Sequence, residues 1–204
     1  SADHGSPEVP GYLAEQQLQG KYVTPKDWDN IKEVSDVKKS FGITEQLIQG
    51  YHHPYIYLDH SLLAQHKLSL IDVQNKVANA LLKAEDVYQT IASNQIESNN
   101  LNNNELNRAV INNHYPSRSG DIYIVFKPQN FINDMDGLKV ASTHGSPWTY
   151  DTFVPVMFAG RGIAAQNVYK RVETIDVAPT IAALLNIKAP SASEGRVLEE
   201  VLKK

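Results

Sequence analysis

Three short stretches set an imidazole beside small or acidic residues: "ADHGS", "LDHSL" and "STHGSPWTYD". They put Asp3 next to His4, Asp59 next to His60, and His144 shortly before Asp151. Carboxylate oxygen and imidazole nitrogen are the ligands zinc accepts where no thiolate is available, and the chain has no cysteine. A glycine after a ligand lets the backbone turn sharply beside an ion. The same residues also have plain structural readings. Asp59 suits the N-cap of a helix starting at His60. His52, His53 and His66 read as loop or helix-surface residues. His114 reads as the end of a helix, where the dipole favours a partly charged ring. Asp3, His4 and His144 read as turn residues or as ligands, and spacing alone leaves both open.

These residues need a scaffold. A length of 204 residues allows one large domain, or one domain with an inserted subdomain. With 42% apolar and 21% charged residues, a sizeable core is available and global disorder is excluded. The net charge of −4, with no basic block, provides no electrostatic footprint for nucleic acid or a membrane surface. No stretch approaches the roughly 18 consecutive apolar residues of a membrane span. The missing cysteines exclude disulfides, thiolate metal sites and a cysteine nucleophile.

Residues 1–20 read as loop. "TPKDWDNIKEVSDVKKSFGI" predicts one helix, capped by Thr24, with Pro25 in its first turn and Gly42 ending it. Two short strands are expected near Leu47–Tyr51 and Tyr55–Leu58. "DHSLLAQHKLS" reads as a short helix and "LIDVQNKVANALLKAEDV" as a longer amphipathic one with Ile71, Val73, Val77, Leu81 and Leu82 near one face. "VYQTIAS" is a candidate strand, and the asparagine-rich segment after it turns into a helix. "GDIYIVFKPQ" alternates as a strand does, and "FVPVMFAGRGI" reads as a nearly continuous buried strand. "ETIDVAPTIAALLNI" predicts a helix capped by Asp176, with Pro179 in its first turn. Strands and helices mix along the chain, so the class is α/β or α+β.

Taken together, "SADHG", "THGSPWTYDTFVPVMFAGRGI" and "VETIDVAPTIAALLNIKAPSASEGRVLEEVL", with "NNHYPSRSGDIYIVFKPQ" between them, resemble the carboxy-terminal part of the alkaline phosphatase superfamily. The nearest likeness is to the phosphate-irrepressible alkaline phosphatases, relatives of the nucleotide pyrophosphatase/phosphodiesterases. The ordered set D-H-G, H-G-x-x-x-x-Y-D-x-x-x-P and D-x-A-P-T carries the resemblance; each motif alone is weak. It implies an α/β fold, the carboxy-terminal part of the alkaline phosphatase-like sandwich with an inserted α+β subdomain. The expected divisions are a metal-ligand loop at 1–20, the subdomain at 21–115, and core at 116–204.

The resemblance also implies roles. Asp3 and His4 match the pair that ligates one zinc, the ion that also holds the nucleophile. His144 matches the final ligand of the other zinc. Asp151 is a candidate for orienting His144 or for holding the local structure. Asp176, Pro179 and Thr180 match a helix start taken as architectural. The Thr or Ser nucleophile, the first aspartate ligand, the D-x-x-x-H pair and the basic substrate contacts have no match here; "DHSLLAQH" is not D-x-x-x-H. No catalytic residue is therefore expected within the chain, and its three ligands fall short of the roughly six that two catalytic zinc ions take at three each. The implied function is hydrolysis of phosphate monoesters by a longer two-zinc enzyme, through a covalent phospho-Thr/Ser intermediate. This chain alone is expected to be inactive and empty or partly occupied. Diester or sulfate ester hydrolysis in the same superfamily, or a non-catalytic binding module derived from the fold, are the alternatives. The expected partners are a phosphate ester, the missing amino-terminal half and a second copy of the chain at exposed sheet edges, without nucleic acid or a membrane span. The implied location is periplasmic or secreted.

Overall fold

The computed structural model describes residues 1–135 and 137–202. In chain order its helices are α1 (Pro10–Glu15), α2 (Lys32–Ser40), α3 (His60–Gln65), α4 (Leu70–Leu81), α5 (Ser93–Glu97), α6 (Glu105–Asn113), α7 (Thr149–Thr152), α8 (Val177–Leu184) and α9 (Glu199–Leu202). Its strands are β1 (Lys21–Tyr22), β2 (Ile48–His52), β3 (Tyr55–Leu58), β4 (Val87–Ala92), β5 (Ile122–Phe126), β6 (Asn130–Phe131), β7 (Asp134–Met135) and β8 (Leu138–Lys139). The chain divides into two compact units, Ser6–Thr152 and Ser1–Gly5 with Phe153–Lys204.

The unit Ser6–Thr152 is built on an antiparallel sheet in the order β2-β3-β5-β4. The expected subdomain, 21–115, falls wholly inside this unit, and β5 lies in the same sheet. β5 alternates as its sequence predicts, yet all five of its residues are buried. Ile122, Ile124 and Phe126 face one core, with Val34 of α2 and Val77 and Leu81 of α4. Tyr123 and Val125 face a second, with Tyr55, Ile91 and Val110 of α6. Helices cover both faces, so an apolar residue is favoured at every position of the strand.

The helix expected over 24–43 is two elements. A 3-10 turn spans Pro25–Asn30, Ile31 is extended, and α2 follows. Thr24 makes no side-chain cap. The break has a partner far along the chain: the buried Asp29 carboxylate accepts from the backbone N–H groups of Leu47 (2.9 Å) and Ile48 (2.7 Å) and pairs with Lys38 Nζ at 2.6 Å. Helix continuity gives way to these bonds, which anchor the start of β2. Gly42 does end α2, at φ +70, with Ile43 N–H bonded to Lys38 O and Gly42 N–H to Lys39 O. That is a Schellman ending, in which glycine avoids the Cβ penalty. Asp59 caps α3 as predicted, accepting from Leu62 N–H, and Asn104 caps α6, accepting from Asn107 N–H. On α4, Val73, Val77 and Leu81 are buried, whereas Ile71 and Leu82 are exposed.

In the other unit, residues 153–163 form no strand, contrary to the sequence expectation, and Phe153 and Met157 are exposed. An extended segment becomes a strand only when a neighbour takes its backbone hydrogen bonds, and no described strand pairs with this one. The helix expected from Glu173 is a 3-10 turn, Thr174–Asp176, followed by α8. Asp176 does not cap α8. Its buried carboxylate accepts from Glu173 N–H and Arg196 N–H. Thr180, fully buried, donates to Asp176 O at 2.6 Å and accepts from Leu198 N–H at 2.9 Å. Together they tie residues 195–198 to the start of α8. Gly195 fits because a Cβ there would land on the Ile175 backbone. Among the described residues no helix is long and apolar enough to cross a membrane.

Candidate metal centre

Asp3 and His4 lie in one unit, and His144 and Asp151 in the other. Among the described residues no group of three or more His, Cys, Asp or Glu side chains is arranged to hold a metal ion.

The Asp3–His4 pair is exposed and local. His4 Nδ1 lies 2.7 Å from Gly5 O. A carbonyl only accepts, so Nδ1 carries the proton, and in the neutral ring Nε2 carries the lone pair. Asp3 Oδ2 stands 3.6 Å from that nitrogen, while Asp3 Oδ1 accepts from His4 N–H at 3.1 Å. Two ligands of a tetrahedral zinc, each about 2.0–2.1 Å from the ion, lie roughly 3.4 Å apart. The donor types, the tautomer and the spacing of this pair fit zinc.

His144 sits in an irregular loop, 140–148, and the residues around it are tied down one by one. Tyr22 donates its hydroxyl to Ala141 O, and Ser142 Oγ donates to Pro7 O at 2.6 Å. His53 Nε2 lies 3.1 Å from Gly145 O. Asp151 Oδ2 accepts from both Ser146 N–H (2.7 Å) and Ser146 Oγ (2.6 Å). Trp148 Nε1 donates to Phe126 O at the end of β5, and Tyr150 Oη accepts from Gln129 N–H. The residues of "SPWTYD" therefore dock the loop onto the end of the sheet. Asp151, a candidate for orienting His144 or for structure, is buried and bonded to Ser146; its Oδ1 is buried without a hydrogen-bond partner. A buried carboxylate with one uncompensated oxygen is a negative centre beside the His144 loop, which suits a cation.

His60, whose sequence reading was a helix start, donates Nε2–H to the buried Asp121 at 2.9 Å. Asp121 also accepts from Leu58 N–H and Gln74 Nε2, so this histidine belongs to a structural network. His53 has a larger part than a loop residue. Tyr51 Oη lies 2.7 Å from its Nδ1. Desolvation by the surrounding protein pushes the His53 imidazole below its ordinary pKa; the Gly145 carbonyl and Asp151 oppose the shift and His144 adds to it. Burial likewise pushes the Tyr51 phenol well up. The sequence signal was limited to proximity: Tyr51 stands on β2 and His53 two residues on, in the turn before β3.

No protein-family model matches the chain. Alkaline phosphatase PafA of Elizabethkingia meningoseptica is 30% identical over 203 residues, 99% of this chain and 36% of that protein. Alkaline phosphatase PhoK of a Sphingomonas species is 27% identical, over 98% of this chain and 37% of that protein. A protein of Myroides odoratus named a calcium-transporting ATPase is 26% identical over 99% of the chain and 36% of its own length. The crystal structure of wild-type PafA superposes with a TM-score of 0.82 at 28% identity, covering 99% of this chain and 37% of that one. The chain thus spans about a third of the length of the relatives it matches. With an α/β fold shared from end to end and the D-H-G, H-G and D-x-A-P-T segments all present, the chain belongs to the alkaline phosphatase superfamily.

Proposed function

We propose that the chain is the carboxy-terminal part of a zinc-dependent phosphoesterase that hydrolyses phosphate monoesters. The observation that carries the reading is the likeness to an alkaline phosphatase over 99% of the chain, at a TM-score of 0.82 and 28% identity. Asp3 and His4 hold one ion through Oδ2 and Nε2, and His144 contributes to a second. When bound, such a pair of ions lowers the pKa of a hydroxyl nucleophile and stabilises the leaving oxygen of an in-line phosphoryl displacement. The Gly5 carbonyl keeps the His4 proton on Nδ1, leaving Nε2 to face the metal. Asp151, through Ser146, holds the backbone just beyond His144. The nucleophile, a Thr or Ser that is transiently phosphorylated, lies in a segment beyond these 204 residues. A periplasmic or secreted location goes with this reading.

The test is hydrolysis of p-nitrophenyl phosphate at alkaline pH by the zinc-loaded protein at its natural length. Turnover that a chelator abolishes and added zinc restores is the expected result. No turnover by verified zinc-loaded protein overturns the proposal.

A further inference from the structure

We propose that His53, oriented by Tyr51, is a positioning residue for the His144 metal ligand; the inference rests on the reading of His144 given above. The peptide that joins Gly145 to Ser146 is held from both sides. Its C=O accepts from His53 Nε2 at 3.1 Å, and its N–H donates to Asp151 Oδ2 at 2.7 Å. His144 is the residue immediately before this clamped unit. Because the Gly145 carbonyl only accepts, His53 carries its proton on Nε2, and Nδ1 of the neutral ring accepts the Tyr51 hydroxyl at 2.7 Å. Three groups thus run in one direction, from the Tyr51 hydroxyl through the imidazole to the loop carbonyl. Tyr51 stands on β2 and His53 in the two-residue turn that joins β2 to β3, while the loop they hold has no regular structure of its own. Sites held by side chains on rigid elements keep their geometry better than sites left to loops.

Gly145 completes the fit. It adopts φ +107, and a Cβ there would stand 2.5 Å from His53 Nε2 and 3.1 Å from Cδ2. The glycine after His144 suits both the turn, through its positive φ, and the close approach of the His53 ring. Asp151 holds only the N–H side of this peptide, and His53 supplies the hold on its carbonyl side. Groups that orient metal ligands without touching the metal change affinity by about 10- to 100-fold when removed.

The experiment titrates cobalt(II) into the protein at its natural length and reads both affinity and the absorption bands of bound cobalt. His144→Ala, His53→Phe, His53→Gln and Tyr51→Phe are compared with the parent, with thermal midpoints as the check on folding. His53→Phe is expected to lower affinity for the ion that His144 holds by about 10- to 100-fold and to shift its bands. His53→Gln, whose side-chain amide can still donate, is expected to recover most of the loss. If His53→Phe fails to fold, Tyr51→Phe, which removes one hydroxyl, is expected to give a smaller loss in folded protein, and unchanged affinity there overturns the proposal. Unchanged affinity and bands in folded His53→Phe, with His144→Ala weakened, overturn the positioning role alone. Unchanged affinity in His144→Ala overturns the metal reading and this inference with it.

Discussion

Asp29 shows what a single buried charge does in this fold. Its carboxylate satisfies two backbone N–H groups at the start of β2 and the Lys38 ammonium of α2, all in the core. Asp29→Ala leaves that ammonium uncompensated and both N–H groups without their acceptor. The expected loss is about 3–5 kcal/mol, read as a fall in the denaturant midpoint; a loss under about 1 kcal/mol would show that water takes over the role. Such residues divide by the distance to their partners. Asp59 was legible in the sequence because it caps a backbone N–H three residues on. The bonds of Asp29 to Leu47 and of His53 to Gly145 were not, since those partners lie 18 and 92 residues away. Asp3, His4 and His144 could be singled out by type and order, but the sequence held nothing that would reveal the clamp around Gly145.

Among the elements, pattern located α3, α4, α6 and β2–β5 of the unit Ser6–Thr152, where local pattern and burial agree, while the short α1 (Pro10–Glu15) lies in the stretch 1–20 that reads as loop in the sequence. α4 marks the limit of that pattern. Five apolar positions were compatible with one face, and packing buries Val73, Val77 and Leu81 while leaving Ile71 and Leu82 in solvent. Leu81 is fully buried against the sheet side of the core. Leu81→Ala is expected to destabilise by about 2–5 kcal/mol, from lost burial plus the cavity left behind. Leu82→Ala, one position on, should stay within about 0.5 kcal/mol. Equal losses at the two positions, measured by equilibrium unfolding, would mean that this helix packs on a different face. Two elements departed from pattern for reasons outside themselves. The helix expected over 24–43 yields at Ile31 to the Asp29 bonds, and the apolar run at 153–163 meets no described strand to pair with. An apolar stretch records that burial suits it, while strand geometry depends on a neighbour.

For the molecule as a whole, the number of ligands sets the metal chemistry that this chain can support by itself. Catalytic zinc ions take about three protein ligands each. On the proposed reading Asp3 and His4 would supply two for one ion and His144 one for the other, and among the described residues no group of three acidic or histidine side chains is arranged to hold an ion. The Asp3–His4 pair is also exposed, so water competes for the ion at every coordination position. An affinity assembled from two ligands or one lacks the chelation that makes zinc sites tight. If the rest of each ligand set lies elsewhere in a longer protein, the 204-residue chain should bind zinc weakly and turn over no phosphate ester. The natural-length protein should bind two ions tightly. Isothermal titration of zinc into both distinguishes the cases. Tight binding of two equivalents by the 204-residue chain would require ligands other than Asp3, His4 and His144, and would place a complete centre within this chain.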